Sequence, residues 1–270
     1  MIDASSTATM TARGIRKTFH RSNGWFSPAS ETHALRGVDF DVEPGEIFGI
    51  VGESGCGKST LARVLVGLEE PDDGTLCLGG RQLFGPGIAD LPSVQRGIQM
   101  VFQDPYASLN PRMRVGEAVA EGLAIANMPA LERDDRVAET LSLVGLSRTD
   151  AQKHPFQFSG GQRQRICIAR ALVMEPEFLV ADEAVSALDI SVQMQILNML
   201  LDLRDRIGLS IIFITHDISV VEYLCDTVMV MYDGQVVERG RTATVLDHPA
   251  HDYTRTLISS VPRLSRQPAE

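Results

Sequence analysis

Apolar residues follow three rhythms along this chain. Residues 46–51 form a short, nearly unbroken apolar run, which suits a buried strand, and residues 60–66 continue at helical spacing. Val38, Phe40 and Val42 alternate with Asp39 and Asp41, the period-two pattern of a half-exposed strand, and Pro44-Gly45 ends it. Further strands are predicted at 15–19, 74–78, 98–102, 178–181, 210–215, 227–232 and 235–238. Between 104 and 159 that pattern stops. Residues 115–126 and 131–144 carry helical spacing instead, which predicts a mainly helical insert, and another helix is expected over 164–174. Residues 1–11 are rich in Ser, Thr and Ala and read as a disordered tail. Residues 20–32, with Asn23-Gly24 and Ser27-Pro28, read as a surface loop. Strands alternating with helices predict an α/β domain, and no internal repeat interrupts it.

Composition narrows the partners. A chain of 270 residues is long enough for one large α/β domain, or for a domain with a smaller insert. Its net charge of −10 argues against a nucleic-acid surface, because phosphate backbones demand a basic stripe. No apolar stretch approaches the roughly 18 residues that cross a bilayer, and residues 1–14 lack the apolar core of a signal peptide. The expected location is cytosolic or peripheral to a membrane. Cys56, Cys77, Cys167 and Cys225 are scattered without a C-x-x-C pair, so reduced thiols are expected rather than zinc or disulfides.

The chemistry begins after the 46–51 run. Gly52, Glu53, Ser54, Gly55, Cys56, Gly57, Lys58 and Ser59 satisfy G-x-x-x-x-G-K-[ST], between a predicted strand and a predicted helix that opens at Thr60. The glycines let successive N–H groups converge on one anion, and the helix N-terminus adds partial positive charge. Lys58 would bring a full charge to the β- and γ-phosphates. Ser59 offers a hydroxyl to Mg²⁺, a hard ion that prefers oxygen.

In open parallel sheets, ligands sit beyond the carboxyl ends of the strands. Four such ends carry suitable residues: the phosphate loop, Gln103, the pair Asp182-Glu183, and His216. Neighbouring strand residues point to opposite sides, so Asp182 could hold Mg²⁺ while Glu183 orients water.

Phe158-Ser159-Gly160-Gly161-Gln162 makes the pattern specific. It resembles the LSGGQ signature of ATP-binding-cassette (ABC) ATPases, and the order of motifs agrees over roughly residues 12–262: an aromatic at Phe19, the phosphate loop, Gln103, the signature, Asp182-Glu183, the segment Ser186-Ala187-Leu188-Asp189, and His216. The resemblance implies a P-loop NTPase (RecA-like) core over 12–103 and 163–246, an antiparallel β subdomain, a helical subdomain over 104–162 and an extension over 247–270. It also implies a head-to-tail dimer in which Ser159, Gly160, Gly161 and Gln162 of one copy close over ATP held by Lys58 of the other. Glu183 would polarise the attacking water and His216 would contact the γ-phosphate. Ser59, Gln103 and Asp182 would serve Mg²⁺. Phe19 would stack on adenine, unless Trp25 or Phe26 does, and Asp189 would bond within the dimer interface.

Residues 100–113 and the segment His248-Pro249-Ala250-His251-Asp252-Tyr253-Thr254 resemble the ATPases of bacterial dipeptide, oligopeptide and nickel importers, of the second subunit type. That group implies a second ATPase, identical or paralogous, beneath two membrane permease subunits fed by an external solute-binding protein, at the cytoplasmic face of the inner membrane. Ala184 stands where most members have proline, and Phe156-Gln157 replaces a more usual His-Glu. Cys225 is the last cysteine, so the iron–sulfur cluster of some relatives is not expected. The alternatives are a soluble ABC-family ATPase of a metabolic complex, such as phosphonate breakdown, and a DNA-repair or ribosome-acting relative. The repair branch calls for a long coiled coil and the ribosomal one usually for two cassettes; this chain has one phosphate loop and neither feature. No N-K-x-D guanine motif is present.

Overall fold

A computed structural model describes residues 9–21, 30–85 and 87–259. Asn23-Gly24, Trp25, Phe26 and Ser27-Pro28 lie outside the described residues, as do 1–8 and 260–270.

A six-stranded sheet forms the centre. Its strands are β3 (Ile47–Val51), β7 (Ile98–Val101), β8 (Phe178–Asp182), β9 (Ser210–Ile214), β10 (Thr227–Tyr232) and β11 (Gln235–Arg241). They lie in the order β11-β10-β3-β9-β8-β7, parallel except for β11. Period two explains why β3, β8, β9 and β10 are apolar at nearly every position. Ile47, Leu179, Ala181, Ile211, Phe213, Val228 and Val230 enter one core, while Phe48, Ile50, Phe178, Val180, Ile212, Ile214, Met229 and Met231 enter another. A sheet buried on both faces needs apolar residues at both parities.

The second core is closed by an antiparallel sheet of order β2-β1-β4-β5-β6 and by helix α1 (Lys58–Leu65). Its strands are β1 (Met10–Arg21), β2 (Ser30–Val42), β4 (Asp73–Leu78), β5 (Arg81–Gly85) and β6 (Ile88–Ala89). Here the structure corrects the sequence reading. The first strand begins at Met10 instead of 15, because Met10 and Ala12 are fully buried and Met10 pairs with both Val42 and Leu78. Residues 10 and 11 therefore belong to the sheet and not to a tail. Residues 20–21 and 30–32, read as loop, are strand, paired across from each other through His20 with Glu31 and Phe19 with Thr32. Strands β5 and β6 and helix α2 (Leu91–Gly97) carry no pattern that the sequence reading used.

The first core faces the helices. Helices α3 (Pro105–Ser108), α4 (Val115–Ile125), α5 (Ala130–Leu143) and α6 (Gly160–Leu172) account for the helical insert and the signature helix. Val115, Val119 and Leu123 of α4 recur at every fourth position and are buried, as are Val137 and Leu141 of α5. Arg165 donates to the Val144 carbonyl at 2.8 Å and Arg170 to the Ser108 carbonyl, so α6 ties the insert to the sheet side. Helix α7 (Ile190–Ile207) starts at the Asp189 cap and stops at Gly208, whose φ of 68° suits a glycine terminator. Helices α8 (Ile218–Leu224), α9 (Thr242–Asp247) and α10 (Asp252–Ser259) complete the described chain.

Candidate nucleotide site

Four strand ends are adjacent in the central sheet, since β3, β9, β8 and β7 are consecutive neighbours. Their following residues therefore meet. The phosphate loop turns through Gly52, Gly55 and Gly57, with φ of 154°, 83° and 108°. Two of these have no room for a side chain: a Cβ on Gly52 would lie 2.2 Å from the Met231 carbonyl oxygen, and one on Gly57 would lie 2.4 Å from that of Ala34. The result is a backbone cradle with α1 behind it. No side chain caps the start of α1. Lys58, 5% exposed, donates from Nζ to the carbonyls of Gly52 (2.7 Å) and Glu53 (2.8 Å).

Ser59 Oγ donates to Asp182 Oδ1 at 3.2 Å. Burial pushes the Asp182 carboxyl above its usual range, nearby Glu183 adds to this, and the Ser59 hydrogen bond opposes it. Asp182 closes β8, and Glu183 leaves the strand with φ of 49°, its N–H donating to the Ile214 carbonyl at 2.9 Å. The two carboxylates diverge through this left-handed turn, so strand alternation is not what separates them. A non-glycine residue held there costs about 1–3 kcal/mol and persists only where its surroundings fix it. Those surroundings are visible. Gln103 Nε2 donates to Glu183 Oε2 at 3.0 Å, His216 Nδ1 lies 3.3 Å from Glu183 Oε1, and Ser186 Oγ donates to the Glu183 carbonyl at 2.9 Å. Gln103 is thus brought to Glu183; the Ser59–Asp182 pair has no recorded bond to it.

A cleft of about 450 Å³ lies beside the phosphate loop and Glu183. Ser54, Gly55, Lys58, Ser59, Thr60 and Glu183 line it, as does Phe19, which is 39% exposed. The sequence reading missed His33, Arg36 and the turn Asp233-Gly234, which also line it. Asp-Gly between two strands was a legible turn signal, and both residues have positive φ (47° and 76°). Nothing in the sequence marked His33 or Arg36.

None of Ser159, Gly160, Gly161 or Gln162 lines this cleft. They open α6, where Ser159 Oγ accepts from Gln162 N (3.3 Å) and Gln162 Oε1 accepts from Ser159 N (3.0 Å), a capping box. This places the helix start at Gly160 instead of 164. Gly161 lies so close to α7 that a Cβ would sit 2.3 Å from Val192 Cγ1.

A backbone cradle ending in a buried lysine, with a hydroxyl–carboxylate pair and a held glutamate beyond it, defines a P-loop nucleoside triphosphatase. Residues 35–186 match the family model described as ABC transporter. The chain belongs to the ABC transporter family and is one of its ATP-binding, ATP-hydrolysing members. Residues 237–269 match the model described as oligopeptide/dipeptide transporter, C-terminal region. The chain is 46% identical over 261 residues to the dipeptide transport ATP-binding protein DppF of Haemophilus influenzae, covering 96% of this chain and 80% of that protein. It is 45% identical to the oligopeptide transport ATP-binding protein OppF of Bacillus subtilis, covering 90% and 81%. Among solved structures, cbiO1 from Clostridium perfringens, described as part of the ABC transporter complex cbiONQ, superposes with a TM-score of 0.76 at 30% identity, covering 90% of this chain and 92% of that one. The dimeric ATP-binding cassette MJ0796 bound to ADP and Pi gives 0.73 at 28% identity, covering 86% and 98%.

Proposed function

We propose that this chain is the energy-coupling ATPase of a bacterial importer of peptides or related small solutes, and that it works at the cytoplasmic face of the inner membrane. The observation that carries this reading is the division of nucleotide chemistry into two separated parts on one chain. Lys58, Ser59 and Glu183 line a cleft that Ser159 to Gln162 do not, and Asp182 bonds to Ser59. A second ATPase subunit, identical or paralogous, supplies the missing signature, and the similar cassette MJ0796 is described as a dimer.

Within the closed site, the roles follow from chemistry. The phosphate-loop amides and Lys58 bind the β- and γ-phosphates. Glu183, oriented by Gln103 and His216, accepts a hydrogen bond from water and aims it at phosphorus. Ser159, Gly160 and Gly161 of the facing subunit bring helix-terminal donors to the developing charge and exclude water. His216 contacts the γ-phosphate, and Phe19 stacks on adenine. The hydroxyl of Ser59 and the buried oxygens of Asp182 fit a hard divalent cation; Mg²⁺ held there would neutralise phosphate charge.

Partnership with membrane subunits is supported by a groove of about 430 Å³ where the sheet edge meets the helical insert, lined by Leu68, Met100, Phe102, Ile125 and Met174. Leu68 and Ile125 are 60% and 78% exposed. A permease segment seated there would press on Phe102, whose neighbour Gln103 holds Glu183. No helix among the described residues is long and apolar enough to cross a membrane. The DppF and OppF relatives are named for dipeptide and oligopeptide transport, which supports peptides as the cargo class here. Deleting the gene should abolish uptake of a labelled dipeptide or oligopeptide panel, and the wild-type gene should restore it while Lys58→Ala should not. Uptake unaffected by the deletion across that panel refutes the peptide assignment.

A further inference from the structure

The segment 248–254, distinctive in the sequence and unused by the chemistry above, reaches the phosphate loop. Glu238 of β11 seats it: its two carboxylate oxygens accept the N–H groups of Ala250 (2.7 Å) and His251 (3.0 Å). His251 Nδ1 then accepts the N–H of Tyr253 at 3.1 Å, in the first turn of α10. The Tyr253 ring packs against Tyr232, the last residue of β10, with centroids 4.4 Å apart and planes at 42°. Its hydroxyl oxygen accepts the Glu53 N–H at 2.9 Å. Just beyond Tyr232, Gly234 N donates to the Cys56 carbonyl at 3.0 Å. The loop is therefore held at two places, Glu53 and Cys56, by the C-terminal quarter of the chain.

A loop with glycines at 52, 55 and 57 has much conformational freedom to lose when its amides converge on an anion. Fixing one end beforehand lowers that cost. The Glu53 amide is engaged by the tyrosine hydroxyl, and Glu53 does not line the nucleotide cleft. We propose that Tyr253 is a positioning residue for ATP: its hydroxyl holds the Glu53 amide and keeps the phosphate loop in the shape that accepts the triphosphate. Burial pushes the phenol above its usual range, so the hydroxyl stays neutral at working pH. The inference rests on the reading of Gly52 to Thr60 as the ATP cradle.

Tyr253→Phe keeps the ring and deletes only the acceptor. In the full chain, the Kd for ATP, measured by displacement of a fluorescent ATP analogue, should rise about threefold to tenfold, the range of one hydrogen bond. The melting temperature should fall by no more than about 4 °C. Amide hydrogen exchange should quicken in the peptide containing residues 50–57 and nowhere outside α10. An unchanged Kd overturns the proposal, and so does exchange that quickens throughout the chain, which would mark a merely structural residue. Lys58→Ala separates the two readings. Binding lost in Lys58→Ala but untouched in Tyr253→Phe leaves the cradle standing and removes Tyr253. Binding untouched in both removes the cradle as well.

Discussion

Helices α1 and α6 both begin at glycine-rich turns that the sequence marks for nucleotide, yet they are finished in opposite ways. The residue before α1 is Gly57, in a left-handed conformation, and no side chain caps the helix. The residue before α6 is Ser159, and it shares a capping box with Gln162. The first turn of any helix leaves N–H groups without partners, so an uncapped start is completed by a ligand or by water. The α1 end has no side-chain cap and leaves its first amides open to a ligand such as phosphate or to water. The α6 end carries its own cap, which agrees with the proposal that it meets ATP only when another subunit docks.

The surrounding residues extend that contrast. Around α1, side chains from three other strand ends are already engaged with one another through Asp182, Gln103, Glu183 and His216. Around the start of α6, the close neighbours are Leu188 and Val192, which are apolar and supply shape rather than chemistry. One end gathers interacting polar side chains; the other is a capped helix start that the proposed function makes a lid.

The largest test strikes the assembled end. Glu183→Gln keeps the shape of the residue that Gln103 and His216 hold and removes its ability to take a proton. Hydrolysis by the assembled complex should fall about 10²- to 10⁴-fold, the usual worth of a general base, while ATP affinity stays within about twofold. Turnover near the wild-type rate would show that the water is positioned by some other group.

The second strikes the lid. Ser159→Arg places bulk and positive charge where α6 presents its donors. Hydrolysis by the complex should drop about 10²- to 10³-fold, comparable to loss of a transition-state donor, with no change in ATP affinity of the isolated chain. If affinity of the isolated chain falls as well, both motifs serve one site within one molecule, and the contrast between the two helix ends collapses.

Much of this site could be read in advance, for a physical reason. The phosphate loop, Asp182-Glu183 and His216 each follow a short buried strand, and strand ends in a parallel sheet must gather on one side. The helical insert was legible from the repeat of Val115, Val119 and Leu123. What stayed hidden depends on contacts distant in sequence. Tyr253 lies 200 residues from Glu53. His33 and Arg36 sit on a strand that approaches the loop only because Gly57 and Gly234 make room beside Ala34. The start at Met10 was hidden because a Ser/Thr/Ala-rich composition outweighed two apolar residues at strand spacing, and α6 began early because its first turn is built from glycines and polar residues. Asp182 and Glu183 have different partners because of the backbone turn at Glu183, which is invisible to period-two reasoning.

The smallest effect sharpens the comparison most. Ser159→Ala removes one acceptor, the hydroxyl 3.3 Å from the Gln162 amide, and leaves the reverse bond from Ser159 N to Gln162 intact. Loss of a helix cap costs about 1 kcal/mol, which in a domain of this size lowers the melting temperature by roughly 2–4 °C. Because the phosphate loop lies in a different cleft, ATP affinity of the isolated chain should not change. A melting temperature that holds steady would mean that α6 does not rely on its cap, and its donors would then need a ligand just as those of α1 do. The distinction between a site that waits for phosphate and a lid that is complete without it would fail at its simplest point.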